Sequence, residues 1–271
     1  MSRHEYPSLR QGLVGAWCPS RSGSVNLVPN LARQSNNATN SGSLTASDGG
    51  TALDLSATQF ASVGSATTLF PDLTKASWAG WFRFRSFVGS YGNLFITEAV
   101  TNFQINPLIK SNGKLAIYCG TNAANTAYDG TGAFTLSTNV WYHIACVFQG
   151  GVELTGYVNG ILDATVSSPI SSLTSTSSAS RIGLLSSSTR GINAQLDDVR
   201  LYSRALTLPE IRLLASRRGI GLSPLPDRAA GLPKKLFVND AGTWRNGDAY
   251  VNTGSGWRLG VPFVNVAGTW R

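Results

Sequence analysis

Val140 to Val166 reads VWYHIACVFQGGVELTGYVNGILDATV, and its pattern decides the fold. Trp141, His143, Ala145 and Val147 alternate with Tyr142, Ile144, Cys146 and Phe148. That period of two belongs to a strand whose two faces meet different surroundings. Gln149-Gly150-Gly151 then supplies residues free to take positive φ and turn the chain. A second alternating run covers Val152 to Val158. Asn159-Gly160, the strongest short hairpin signal, turns the chain into a third run, Ile161 to Val166. Three antiparallel strands in so short a span form a meander, wide enough for one wall of a sandwich.

Upstream, Gly12 to Trp17 (GLVGAW) reads as a first strand and Asn26 to Gly50 as a long surface connection. Ala52 to Val63 carries two short strands. Ala76 to Phe84 (ASWAGWFRF) places Trp78, Gly80, Phe82 and Phe84 on one face and Ala79, Trp81 and Arg83 on the other. Leu94 to Thr97, Phe103 to Asn106 and Lys114 to Cys119 continue the series. Downstream, the Ser/Thr-rich Ser167 to Ser180 reads as a loop, and Arg181 to Leu185 and Ala194 to Tyr202 as strands. One helix stands out. Thr207 is its N-cap, Pro209 lies in its first turn, and Glu210 completes a capping box. Ile211, Leu213 and Leu214 give it an apolar side, expected to seal one end of the sandwich.

The order of these parts resembles the laminin G-like, concanavalin A-like jelly-roll family. GLVGAW, ALDL (Ala52 to Leu55), WYHIA, YVNG and QLDDVRLYSRALTLPEI match the family's landmarks in the family's order, across roughly Gly12 to Ala215. The expected fold class is therefore all-β: an antiparallel β-sandwich (jelly roll) with one short C-terminal helix, followed by a small β-repeat tail. The expected domains are 1–216 for the sandwich, 217–235 for a basic Pro/Gly linker, and 236–271 for the repeats.

The tail is an internal repeat. FVNDAGTWR (Phe237 to Arg245), YVNTGSGWR (Tyr250 to Arg258) and FVNVAGTWR (Phe263 to Arg271) begin 13 residues apart. Each reads as three strand residues, a Gly-containing turn and a strand carrying Trp-Arg. Asp240-Ala241-Gly242 suits a three-residue loop, and Asn246-Gly247 suits the turn between copies one and two. Strands of three residues span about 10 Å at roughly 3.3 Å per residue. So thin a ribbon cannot bury Trp244, Trp257 and Trp270 within itself. With Arg245, Arg258 and Arg271 they are the candidate assembly residues. Their partner surface is the sandwich, sister copies or another protein.

Composition bounds the rest. Of 271 residues only 13% are charged, which suits many short strands and tight turns. The net charge of +8 is uneven: residues 1–199 hold 11 Lys/Arg against 10 Asp/Glu, and 200–271 hold 11 against 4, a net of +7. A basic segment meets an acidic surface, or serves solubility and local ion pairs. Nucleic acid is not the expected partner. Cys18, Cys119 and Cys146 sit in apolar runs without metal-ligand spacing, as buried thiols do. The opening MSRHEYPSLRQGLVGAW has no apolar h-region, and no run reaches about 18 apolar residues. These features predict synthesis in a host cytoplasm with reduced thiols, and no membrane insertion.

Catalytic patterns are missing. The superfamily's glucanases carry closely spaced Glu-x-Asp-x-Glu carboxylates, and a glycosidase needs two carboxylates flanking the scissile bond. The only adjacent acids here, Asp197 and Asp198, should point to opposite faces of a strand. His4 and His143 are the only histidines, and no triad, P-loop or HExxH sequence occurs. No enzymatic activity and no cofactor are expected. Many members of the family that the sequence resembles hold calcium on the sandwich rim, and Asp54, Asp197 and Asp198 are the candidate metal ligands here, although a bound ion is not the expected state. The family's acidic run after the ALDL strand is here SATQF (Ser56 to Phe60), without carboxylates, whereas calcium wants six to eight oxygens, several charged. Trp81 is a candidate stacking surface for a sugar, although the inner face of the two-sheet core is its expected home.

The missing signal, the unpaired thiols and a likeness to phage proteins that join such a sandwich to Gly-x-Trp repeats imply a virion surface protein of a tailed phage. It would be a capsid decoration or a fibre component. Its expected partners are other virion proteins and sister copies, most simply as a trimer, with a host-surface glycan as ligand. A cellular carbohydrate-binding module or adhesin is the alternative.

Overall fold

A computed structural model describes residues 6–22, 27–28, 30–32, 37–40, 43–47, 50–65, 69, 74–97, 102–121, 130–167, 170–173, 179–184, 190–222, 236–240, 243–247, 250–252, 257–259, 265–266 and 269–270. They fall into two units, one of them Tyr6–Leu222. In chain order this unit holds β1 (Leu13–Trp17), the short helix α1 (Pro19–Ser22), β2 (Leu27–Val28), β3 (Ala38–Asn40), β4 (Ser43–Ser47) and β5 (Gly50–Leu55). There follow β6 (Ala61–Ser65), β7 (Lys75–Ser86), β8 (Tyr91–Asn93), β9 (Phe95–Thr97), β10 (Asn102–Lys110) and β11 (Lys114–Thr121). The series ends with β12 (Gly130–Thr135), β13 (Trp141–Gln149), β14 (Glu153–Val158), β15 (Ile161–Ser167), β16 (Ala179–Ile182), β17 (Asn193–Tyr202) and helix α2 (Leu208–Leu214).

The meander is built as its alternation dictates. β13, β14 and β15 are antiparallel neighbours at one side of an eight-stranded sheet ordered β15-β14-β13-β7-β17-β5-β4, with β1 also paired to β17. Asn159 (φ 50°) and Gly160 (φ 77°) both take left-handed backbone, as a two-residue hairpin turn requires. The Asn159 side chain accepts the His143 amide at 2.9 Å, while its own amide donates to the His143 carbonyl at 2.7 Å. One asparagine thus makes the turn and pins it to the neighbouring strand.

The facing layer is made of two runs, β12-β11-β10-β8 and β2-β3-β6-β16-β9. They meet at Leu94, between β8 and β9, whose amide donates to the Pro107 carbonyl at 2.9 Å. Trp78, Phe82, Phe84, Ile144, Phe148 and Leu154 from the first sheet bury against Phe95, Ile105, Leu115 and Ile117 from the second. Each such side chain, fully buried, contributes roughly 1.5–3 kcal/mol. Cys119 and Cys146 lie in the same core and Cys18 is buried beside Ala16, all three as free thiols. Burial raises the pKa of each, Cys119 to about 11, so none is a ready nucleophile.

Four expectations are corrected. Residues 27–47 are not a plain surface connection but carry β2, β3 and β4, each five residues or fewer, too short to show a period. Helix α2 does not seal an end of the sandwich. Ile211 and Leu214 pack with Ala79, Ala145, Val147 and Tyr202, on the outer face of the eight-stranded sheet. Its start is fixed by Glu210, which accepts the Thr207 amide at 2.9 Å and pairs with Arg204 at 2.7 Å. The sandwich unit runs to Leu222, past the expected boundary at 216, because 219–220 are bonded into it. The strand expected at Arg181 to Leu185 is Ala179–Ile182.

The second unit, which includes Ser223–Arg271, shows three two-stranded hairpins among its described residues. They are β18 (Leu236–Asp240) with β19 (Thr243–Gly247), β20 (Tyr250–Asn252) with β21 (Trp257–Leu259), and β22 (Asn265–Val266) with β23 (Thr269–Trp270). The same register recurs in each: Asn239 opposite Trp244, Asn252 opposite Trp257, Asn265 opposite Trp270. Two turn assignments change. Asp240 pairs with Thr243, so residues 241–242 alone separate them. Asn246 and Gly247 are strand residues opposite Phe237 and Leu236, not a turn between copies. The linker from 223 to 235 and Arg271 lie outside the described residues.

Candidate functional site: the outer face of the eight-stranded sheet

Strand register assembles this face. Asp54 on β5 pairs with Gln195 on β17, Gln195 with Arg83 on β7, and Arg83 with Trp141 on β13. Partners across a ladder point to the same side, so these four side chains make one row. Three strand spacings at roughly 4.8 Å make it about 14 Å long. The next row holds Asp197, Trp81 and His143. Trp81 therefore does not lie in the two-sheet core, where the sequence reading placed it. Its neighbours Trp78 and Phe82 are turned inward, and period two leaves Trp81 outside with Ala79 and Arg83.

Trp81 and Trp141 are both half-buried. The Trp81 ring meets the edge of His143 at a centroid distance of 5.5 Å. Over Trp141 stands the Arg218 guanidinium, its carbon 4.3 Å from the ring centroid. Arg83 donates from Nε to the Asn139 carbonyl at 3.1 Å. Arg85 reaches Asp54 in an ion pair and Asn193 Oδ1 at 3.1 Å. Four strands and the segment after α2 thus frame a strip of indole, guanidinium, amide and carboxylate groups.

Beneath it is a buried charged knot. β17 carries a register shift between Asp197 and Arg200, with Asp198 at φ 51°. The bulge lets Asp197 and Asp198 both turn into the protein, rather than to opposite faces as a regular strand requires. Asp198 accepts from Arg200 Nε at 2.7 Å and Nη2 at 3.0 Å, and from the Gly219 amide at 2.7 Å. Arg200 Nη2 also donates to the Ile220 carbonyl at 2.5 Å. The Asp198 carboxylate holds the Arg200 pKa up against a burial that would lower it. Asp197 Oδ1 accepts the amides of Asp198 at 2.9 Å and Ser20 at 3.3 Å, and burial raises its pKa. Burial, with Arg200 nearby, lowers His143 to about 3, so its imidazole is neutral at neutral pH.

The metal candidates are not brought together. Asp54 is on the strip, bound to Arg85; Asp198 is neutralised by Arg200; Asp197 is enclosed beside Ser20. No group of three or more His, Cys, Asp or Glu residues among those described is placed to hold a metal ion. The donor set does not suit calcium, which needs several carboxylate oxygens turned to one point. Of the assembly residues, Trp244, Arg245, Trp257, Arg258 and Trp270 sit on hairpin strands. The sequence reading missed Arg85 and Arg218. Arg218 fell in a segment read as linker, and nothing in its spacing points to Trp141.

No curated protein sequence matches this chain. Domain 4 of AbnA, an extracellular arabinanase from Geobacillus stearothermophilus solved with arabinotriose, is similar in structure at 15% identity and a TM-score of 0.58. That match covers 75% of this chain and 98% of the other. The binding domain of Paraclostridial Mosquitocidal Protein 1 is similar at 16% identity and a TM-score of 0.64, over 76% of this chain and 52% of that one. A structure of botulinum neurotoxin type C, whose cell entry depends on two ganglioside molecules, gives 13% identity and 0.55, over 77% and 52%. The chain thus spans about half of the two toxin structures. At such identities the likeness is one of fold. The family profile matches residues 55–212, more than half of the chain, and the protein belongs to the concanavalin A-like lectin/glucanases superfamily.

Proposed function

We propose that the sandwich is a non-catalytic carbohydrate-binding module and that the repeat tail attaches or oligomerises it. The observation that carries the first part is the strip of two half-buried tryptophans, Trp81 and Trp141, beside Arg83, Gln195 and Asp54 on one sheet face. Indole faces stack on the C–H faces of sugar rings, while amide, guanidinium and carboxylate groups fix hydroxyls. The arabinotriose on the arabinanase domain and the ganglioside dependence of the neurotoxin support a glycan as ligand. The non-catalytic part rests on Asp197 and Asp198. Both are buried, and Asp198 is bonded to Arg200, so neither flanks an open groove.

The setting we favour is the surface of a tailed-phage virion, as a capsid decoration or fibre component. The three-fold tail repeat with its constant Asn–Trp register supports it, since equivalent hairpins suit equivalent contacts. A glycan array probed with the full chain tests binding. Reducing-end assays on laminarin, agarose, carrageenan and alginate test the absence of cleavage. Binding without release of reducing ends above a heat-killed control is the expected result, and turnover abolished by Asp197→Asn or Asp198→Asn overturns the non-catalytic reading.

A further inference from the structure

Residues 216–222 follow α2 as a strap, and one of its side chains lies on the Trp141 indole. The Arg218 guanidinium carbon stands 4.3 Å from the centroid of that ring. Carbon atoms in contact are about 3.5–4.0 Å apart, so nothing fits between the two. A sugar ring can stack on this face of the indole only by taking the place of the guanidinium.

The strap and the side chain are held in different ways. The Ser216 amide donates to the Leu213 carbonyl at 3.1 Å, and the Gly219 amide donates to Asp198 at 2.7 Å. Arg200 donates to the Ile220 carbonyl. Ile220 packs in one cluster with Leu9, Tyr202 and Ile211, and Leu222 in another with Ala16 and Cys18. The backbone is therefore fixed on both sides of Arg218. The guanidinium itself rests on the indole, with its Nη1 enclosed and without a hydrogen-bond partner among the described residues. A charged donor closed to water and left unpaired costs free energy, which offsets part of what the cation–π contact gains. The result is a weakly held cover on a fixed base. Rotation about the side chain's own bonds takes it off the ring while the strap stays in place.

We infer that Arg218 is an autoinhibitory cover on Trp141, which a sugar ring must displace in order to stack there. The inference rests on the glycan-binding reading above and adds what keeps the platform closed. An apparent dissociation constant is the intrinsic one divided by the fraction of molecules competent to bind. A platform uncovered in about a tenth of the molecules therefore binds about tenfold more weakly than a bare one.

Two measurements on the full chain test this, using Arg218→Ala, Arg218→Gln and, as a control, Arg217→Ala at the exposed neighbour. Hydroxyl-radical oxidation read by mass spectrometry reports Trp141 without any ligand, with the fully buried Trp78 as internal reference. An array of neutral and acidic oligosaccharides, read as half-saturation concentrations, reports binding. In Arg218→Ala, Trp141 should oxidise threefold or more faster while Trp78 is unchanged. The strongest glycan of the array should bind threefold or more tighter. Arg218→Gln, which keeps a shorter stem, should change both in the same direction by less, and Arg217→Ala should change neither. Unchanged oxidation of Trp141 in both Arg218 variants overturns the cover. Faster oxidation with unchanged or weaker glycan binding overturns the autoinhibition and leaves the glycan-binding reading in place. An equal gain in Arg217→Ala makes the effect one of net charge and overturns the assignment to Arg218. Failure of every glycan to bind wild type and variants overturns the inference together with the reading beneath it.

Discussion

Arg200 grips Asp198 through two hydrogen bonds, of 2.7 and 3.0 Å, although their side chains are only 1% and 2% exposed. The pair ties the segment after α2 to the sheet, since Asp198 also takes the Gly219 amide and Arg200 the Ile220 carbonyl. A buried ion pair adds little net stability over well-packed apolar groups, yet losing one member strands the other. Arg200→Ala should therefore destabilise the sandwich by about 3–5 kcal/mol. Asp198→Leu combined with Arg200→Met should recover a large part of that. Urea unfolding of the two variants measures both, and a loss below about 1 kcal/mol in the single variant refutes the account.

The turn at 159–160 makes a sharper comparison. Gly151 and Gly160 have nearly equal φ values, 71° and 77°. A methyl at Gly151 meets nothing within 4 Å, whereas one at Gly160 lies 3.2 Å from the Arg212 Cα. Gly151→Ala should cost about 1–2 kcal/mol from its left-handed backbone alone. Gly160→Ala should cost more, because the hairpin tip must also back away from α2. Equal melting temperatures for the two variants would show that the tip does not press on the helix.

His143 gives the fold a pH dependence whose sign is fixed. Its folded pKa of about 3 lies below the unfolded value near 6.5. Unfolded chains then bind the proton first, so its contribution is complete above pH 6.5 and is lost as pH falls toward 3. The expected slope is at most about 1.4 kcal/mol per pH unit in that window. Asp197, raised by burial, acts oppositely: its contribution fades as pH climbs from the unfolded value to the raised one. His143→Gln should flatten the dependence between pH 6.5 and 4.5 in denaturant titrations. An unchanged slope rules the histidine out as its source.

Much of this was legible in the sequence, for a physical reason. β7, β13 and β17 are long strands buried along the core, so each shows a period of two, and Asn159-Gly160 announced its turn. β2, β3 and β4 are too short to carry a period. Trp81 was assigned to the wrong side because alternation defines two faces without saying which one meets the other sheet, and helix α2 makes the outer face apolar too. The Asp198 bulge breaks the alternation on which the opposite-face reading of Asp197 and Asp198 depended. Arg218 over Trp141 is a contact between residues far apart in sequence, and no spacing rule reports it.

Calcium should not stabilise the sandwich. Asp54 is paired with Arg85 and Asp198 with Arg200, so an ion must displace a guanidinium to bind either carboxylate. A calcium titration should leave the melting temperature within about 1 °C. A rise of about 5 °C or more, on the order of 1 kcal/mol or above for a domain of this size, would falsify the claim.

The repeats should carry assembly. Three hairpins with one register place Trp244, Trp257 and Trp270 at equivalent backbone positions, each opposite an Asn. A lone two-stranded hairpin is marginal in water and too thin to cover an indole, while Trp and Arg dominate binding energy at interfaces. The tryptophans are therefore expected to be buried between chains, most simply around a three-fold axis, or against a particle. The sandwich unit ends at Leu222, so truncation after Leu232 should leave a folded monomer, while the full chain self-associates or binds its particle. Trp257→Ala should weaken that association by about 2 kcal/mol or more. Light scattering with particle co-sedimentation decides the matter: if truncated and full-length chains are both monomeric and decorate the particle equally, assembly does not depend on the tail.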